Sequence, residues 1–129
     1  AATLGGDIVD DAAAYWKAVR DHTLEFFRAP GAVWRLSLPP ATPPLALGGE
    51  QFIEWGGALR WLRTTRDAAA VRAAVSATGG HATLYRGGDA ASAEVFHPLA
   101  PGVEQLHRRL KQAFDPEGIL NPGRMYPWL

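Results

Sequence analysis

Hydrophobic positions along the 129-residue chain change period several times, and each change marks an element. Between about Asp10 and Arg28, the residues Tyr15, Trp16, Val19, Thr23, Phe26 and Phe27 recur at helical spacing, while Lys17, Arg20, Asp21, Glu25 and Arg28 face away. That stripe predicts one amphipathic helix, with Asp10 and Asp11 as cap and dipole partners and Pro30-Gly31 as its stop. In VWRLSLP the period drops to two: Trp34, Leu36 and Leu38 point one way, Arg35 and Ser37 the other, as in a half-buried strand. PPATPP has too many prolines for a helix or a central strand, so an extended connector follows. QFIEWGGALRWLRT reads as two strands around Gly56-Gly57, with Phe52 and Glu54 on one face, Ile53 and Trp55 on the other, and Leu59, Trp61 and Arg63 sharing a face of the second strand. Asp67 then caps a short alanine-rich helix whose stripe is Ala68, Val71, Ala74 and Val75, ended by Gly79-Gly80. HATLYRG is a fourth strand. Pro101 opens a last helix, where a missing N–H costs nothing, and Val103, Leu106, His107, Leu110 and Phe114 form the stripe it is expected to bury.

The order is helix, strand, connector, strand, strand, helix, strand, helix. Its middle resembles a ferredoxin-like split β-α-β unit whose first crossover helix is replaced by the proline-rich connector. The expected class is α+β: a ferredoxin-like antiparallel sheet with helices on one side, plus N-terminal and C-terminal helices. Residues 1–99 are read as the α+β core with its N-terminal helix, and residues 100–129 as a C-terminal helix and tail.

Composition narrows the field by exclusion. Hydrophobic residues make up 47% and charged residues 20%, as in a folded globular chain. The formal net charge is zero, which gives no electrostatic reason to expect a nucleic-acid partner. Cysteine is absent, excluding disulfides, iron–sulfur ligation and cysteine-type zinc sites within the chain. The start, AATLGGDIVDD, lacks an initiator Met and has no basic end leading into an apolar run, so it reads as a piece of a longer protein rather than a signal peptide.

Candidate chemistry is sparse. His22, His81, His97 and His107 show no HxxxH or HxH spacing, and no metal site is expected. Ser37, Ser76 and Ser92 lie in no GxSxG context. No GxGxxG or GxxxxGK[ST] loop is present to cradle a phosphate. One cluster remains: Glu54, Arg60 and Arg63 in adjacent strands beside Trp55 and Trp61. Arginine offers a forked donor pair to a carboxylate, so such a face can bind a substrate or partner. A solvated face laced with cross-strand ion pairs is the plainer reading, and both stay open at this point.

The ending carries more. LHRRLKQAFDPEGILNPGRMYP, from Leu106 to Pro127, resembles the terminal signature of FAD-linked oxidases of the vanillyl-alcohol-oxidase type, whose chains close on a helix and a form of FDPxGILNPGK. In that family the tail leaves a cap, or substrate, domain and packs onto the FAD-binding domain. The resemblance implies that Asn121, Pro122 and Gly123 touch the flavin-bearing lobe and that Ile119 and Leu120 plug into it. It also implies that FAD is held mainly by an N-terminal domain outside this chain, so that this portion alone binds none. WRLSLPP, IEWGGALRWLRT and VFHPL are similar to the flavin E subunits of bacterial glycolate oxidases, which work with a second flavin subunit and an iron–sulfur subunit to turn glycolate, a small 2-hydroxy acid, into glyoxylate. Those would be the partners, in the cytoplasm or peripheral at the inner membrane. The HxGDGNxH-like signature of related hydroxy-acid dehydrogenases is missing, so no catalytic residue is assigned. Two other readings stand beside this one: the cap of another FAD-linked 2-hydroxy-acid dehydrogenase, and a non-catalytic ferredoxin-like interaction or small-molecule-binding module. Without a receiving lobe, residues 116–129 are expected to be mobile, or ordered by a dimer contact that covers Ile119, Leu120 and Trp128.

Overall fold

The structure, a computed structural model, describes residues 8–87 and 95–129. The chain groups into two compact units, residues 1–30 and residues 31–129. Val95 and Phe96 form a bend, and residues 88–94 lie outside the described residues.

In the first unit the single expected helix is two: α1, Ala12–Arg20, and α2, Glu25–Arg28. Asp11, rather than Asp10, is the cap, accepting from the Ala14 N–H at 2.8 Å. The break has a local cause. His22 takes a left-handed φ of 52°. The Thr23 N–H then returns to the Ala18 carbonyl at 2.9 Å and the His22 N–H to Val19 at 3.2 Å, the two bonds of a Schellman cap. His22 holds this conformation while its ring stacks on Phe27 at 4.4 Å. Only Val19 and Phe27 of the expected stripe are buried; Trp16 stays 65% exposed.

The second unit is the antiparallel sheet the pattern predicted. Its strands are β1, Ala32–Ser37; β2, Glu50–Glu54; β3, Leu59–Thr64; and β4, His81–Arg86. Their order is β2-β3-β1-β4 with every pair antiparallel. The connector carries the chain from β1 past β3 to β2, and α3, Ala68–Ser76, carries it from β3 past β1 to β4. These interleaved crossovers are the ferredoxin-like arrangement.

Register decides the two faces. Trp34 pairs with Leu62 and Leu84, and Leu36 with Arg60 and Ala82. On this face α3 packs Val71 and Val75, both fully buried, into the core. Asp67 caps α3 through the Ala70 N–H at 2.7 Å. Gly80 is required where the chain turns back, because a Cβ there would lie 2.6 Å from Leu38 Cδ2 and collide with the Ser37 carbonyl.

The connector does the work of the missing helix. Leu38 and Leu47 join the core cluster and Leu45 packs against it. Complete burial of a leucine contributes about 1.5–3 kcal/mol. An irregular segment leaves carbonyls without ladder partners, and two side chains of β3 supply them: Thr64 Oγ1 donates to Leu47 O at 3.2 Å, and Arg60 reaches Thr42 and Pro43.

Between β2 and β3, Trp55, Gly56 and Gly57 turn with φ of 50°, 59° and 93°. Trp55 was expected on a strand face with Ile53; it sits at the hairpin tip instead, 81% exposed.

Helix α4 spans Pro101–Phe114 with proline in its first turn. Its stripe is amphipathic as expected but is not buried: Val103 is 44%, Leu106 55%, Leu110 48% and Phe114 82% exposed.

Candidate functional site

The face of the sheet opposite α3 collects the polar and aromatic side chains. Register places Val33, Arg35 and Ser37 of β1 on it, with Leu59, Trp61 and Arg63 of β3, Glu50, Phe52 and Glu54 of β2, and Thr83 and His81 of β4. Trp61 is the centrepiece, 3% exposed. Its indole Nε1 donates to Glu54 at 2.5 Å, and Tyr85 meets the ring edge-on at 4.9 Å. Arg63 pairs with Glu50 at 2.5 Å.

Of the cluster expected from sequence, Glu54 and Arg63 share this face and Arg60 does not. Alternation sends Arg60 to the α3 side, where it is 5% exposed. Its guanidinium donates to Gly57 O at 3.2 Å, to Pro43 O at 3.1 Å and to Thr42 O. A buried cation needs such partners, and these bonds make Arg60 the clamp of the connector. The intended company of Trp55 is also absent, since Trp55 belongs to the hairpin tip.

The tail is better organised than its composition suggests. Asp-Pro-Glu-Gly closes a turn, with the Gly118 N–H on Asp115 O at 3.1 Å. The Asp115 carboxylate, 6% exposed as a residue, accepts from the Ile119 and Leu120 N–H groups at 3.0 and 2.8 Å and pairs with Lys111 at 2.6 Å. The Lys111 bond and the two amides hold its pKa below the ordinary aspartate value. Trp128 stacks on Tyr126 at 5.2 Å and lies under the Arg108 guanidinium at 4.0 Å. Arg108 thus ties the end of the tail to α4, and Tyr126 ties it to the His97 loop. The apolar side chains of the tail are not buried: Ile119 is 75%, Leu120 59% and Met125 45% exposed.

Asn121, Pro122 and Gly123 form an exposed turn, with φ of 48° at Asn121 and 68° at Gly123. The Gly123 N–H is taken by Leu129 O at 2.6 Å.

A second junction was not foreseen. His97 Nδ1 accepts from the Ala82 N–H at 3.2 Å, which leaves the proton on Nε2 to meet Ser76 Oγ at 3.0 Å. Burial, then Arg72 and His81, lower its pKa and favour this neutral form. Tyr126 donates its hydroxyl to His97 O at 2.9 Å, and Arg72 donates to Phe96 O at 3.2 Å. One loop thus joins α3, β4 and the tail. Beside it lies a cavity of about 360 Å³ with His81, Thr83, His107, Met125 and Tyr126 in its wall. The sequence signal for Asp115 is its DPEG turn; nothing local marks His97. No group of three or more His, Cys, Asp or Glu able to hold a metal occurs among the described residues. No helix there is long and apolar enough to cross a membrane.

Comparison with known proteins fits this geometry. Residues 88–125 match the family model described as FAD linked oxidases, C-terminal domain. Over 123 residues, 95% of the chain, the sequence is 45% identical to the glycolate oxidase subunit GlcE of Escherichia coli (strain K12). The chain spans about a third of that relative's length, 33%. No solved structure gives a significant match. With the domain match on its tail and this identity along nearly its whole length, the chain belongs to the FAD-linked oxidases and carries part of their C-terminal domain.

Proposed function

We propose that this chain is the substrate-side portion of an FAD-linked subunit that oxidises a small 2-hydroxy acid, glycolate in the first instance, within a glycolate oxidase complex containing a second flavin subunit and an iron–sulfur subunit. The observation that carries the reading is the 45% identity to GlcE over 95% of the chain. FAD, when bound, supplies the acceptor for the two electrons of the alcohol carbon. The residues here do the rest: Asn121, Pro122 and Gly123 lie against the flavin-bearing lobe, and the exposed stripe of α4, with Ile119 and Leu120, docks on it. Large apolar groups left exposed in one region suit a buried interface. On the sheet, Glu54 and Arg63 form the polar border of a face turned to substrate or partner. Arg60 leaves that role.

The test is to purify the full-length protein with its partner subunits and measure dye reduction driven by glycolate. Glycolate-dependent turnover with bound FAD is expected. A flavin-loaded complex that no 2-hydroxy acid reduces would overturn the reading.

A further inference from the structure

We infer that Arg35 is the residue that grips the substrate's carboxylate, with Thr83 and His81 beside it completing a small anion subsite. This rests on the proposed oxidation of a 2-hydroxy acid. Arg35 stands in β1, an interior strand, with Trp61 across one ladder and Thr83 across the other. It is exposed and has no hydrogen-bond or ion-pair partner among the described residues. The other strand arginines are engaged: Arg60 with three carbonyls, Arg63 with Glu50, and Arg86 over the Tyr85 ring at 5.7 Å.

A guanidinium with no counter-charge among the described residues, on a face that also carries buried Val33 and Trp61, favours an anion. Its planar fork matches a carboxylate in two parallel bonds. The Thr83 hydroxyl lies next to it in register, and Thr83 and His81 form part of the wall of the 360 Å³ cavity. That is ample for an acid of a few heavy atoms, since ligand cavities begin near ~300 Å³. Arg35 is not itself in the cavity wall; it stands one ladder position from Thr83, which is.

The experiment uses the full-length protein in its complex and oxalate, a dicarboxylate with no hydroxyl to oxidise, as probe. Calorimetry should show oxalate bound by wild type and weakened about 10- to 100-fold in Arg35→Gln, the range expected when a charge-assisted pair is lost. Arg35→Lys should recover part of the affinity. The KM for glycolate should rise in parallel with the oxalate dissociation constant. If Arg35→Gln does not fold, oxalate protection of Arg35 against an arginine-directed reagent, read by mass spectrometry on wild type, decides the matter. Unchanged oxalate affinity in a folded Arg35→Gln protein, or no protection of Arg35, overturns the inference. Oxalate binding that depends on Arg35 in a complex oxidising no 2-hydroxy acid would sustain the subsite while removing the proposed function.

Discussion

Two arginines of the same sheet illustrate how one residue type takes opposite roles. Arg60 is buried and saturated with carbonyls, so its removal strands the connector's polar backbone. Arg60→Ala should cost roughly 2–4 kcal/mol, combining a lost charged donor with carbonyls left unsatisfied, and calorimetric melting of the 129-residue chain will measure it. Arg35→Gln in the same chain should stay within about 0.5 kcal/mol of wild type, because an exposed side chain with no partner among the described residues has little to lose. Asp115 gives a pH signature. Its pKa is lowered in the folded state, so its contribution is present above the unfolded aspartate value, about 3.9, and is lost as the pH falls through the folded value. The protection factors of the Ile119 and Leu120 amides, with their intrinsic base-catalysed exchange divided out, should fall only on that acid side, and Asp115→Asn should abolish that change in protection. The same amides are protected by a side-chain cap, so their exchange reports this turn and not docking of the apolar groups.

At the level of elements, α4 is the one whose pattern and surroundings disagree. Its residues have helical periodicity and a proline start, yet the stripe they build faces no core. Leu110→Glu should therefore leave the melting temperature of the 129-residue chain unchanged to within about 0.5 kcal/mol of stability. In the full-length protein the same change should lower stability by about 2 kcal/mol or more, because it buries a charge in the docked interface. Equal and large losses in both would place the stripe in this domain's own core. The broken N-terminal helix shows the converse case. Its periodicity runs on through Phe27, but a Schellman cap at His22 closes the first helix after Arg20, and local hydrogen bonding overrides the pattern.

For the whole molecule, the two interleaved crossovers leave one sheet face packed by α3 and the connector and give the other its polar and aromatic set. The sequence carries no GxGxxG or GxxxxGK[ST] loop to cradle a dinucleotide's phosphates. The 129-residue chain, purified alone, should accordingly be colourless, with an absorption spectrum lacking the flavin bands; a yellow preparation near one flavin per chain would refute the division of labour proposed between this portion and the rest of the protein.

How much of this was legible beforehand follows from the range of the interactions involved. Alternation in VWRLSLP and QFIEWGGALRWLRT, the Asp67 cap and the Gly56-Gly57 hairpin are encoded within a few residues, and the sheet, α3 and the ferredoxin-like order could be read from them. The terminal FDPEGILNPG run carried the family resemblance in the same local way. Alternation already sets Arg60 and Arg63, three positions apart, on opposite faces. Which of the two faces is covered was not local, and the path of a connector some eighteen residues upstream buries Arg60. His97 likewise acquires its role from Ala82 and Ser76, distant in the chain and unmarked by any spacing. Local hydrogen bonding and periodicity set the elements from the sequence itself; the tertiary structure alone decided which polar side chains would be consumed as internal clamps and which, like Arg35, would find no counter-charge among the described residues.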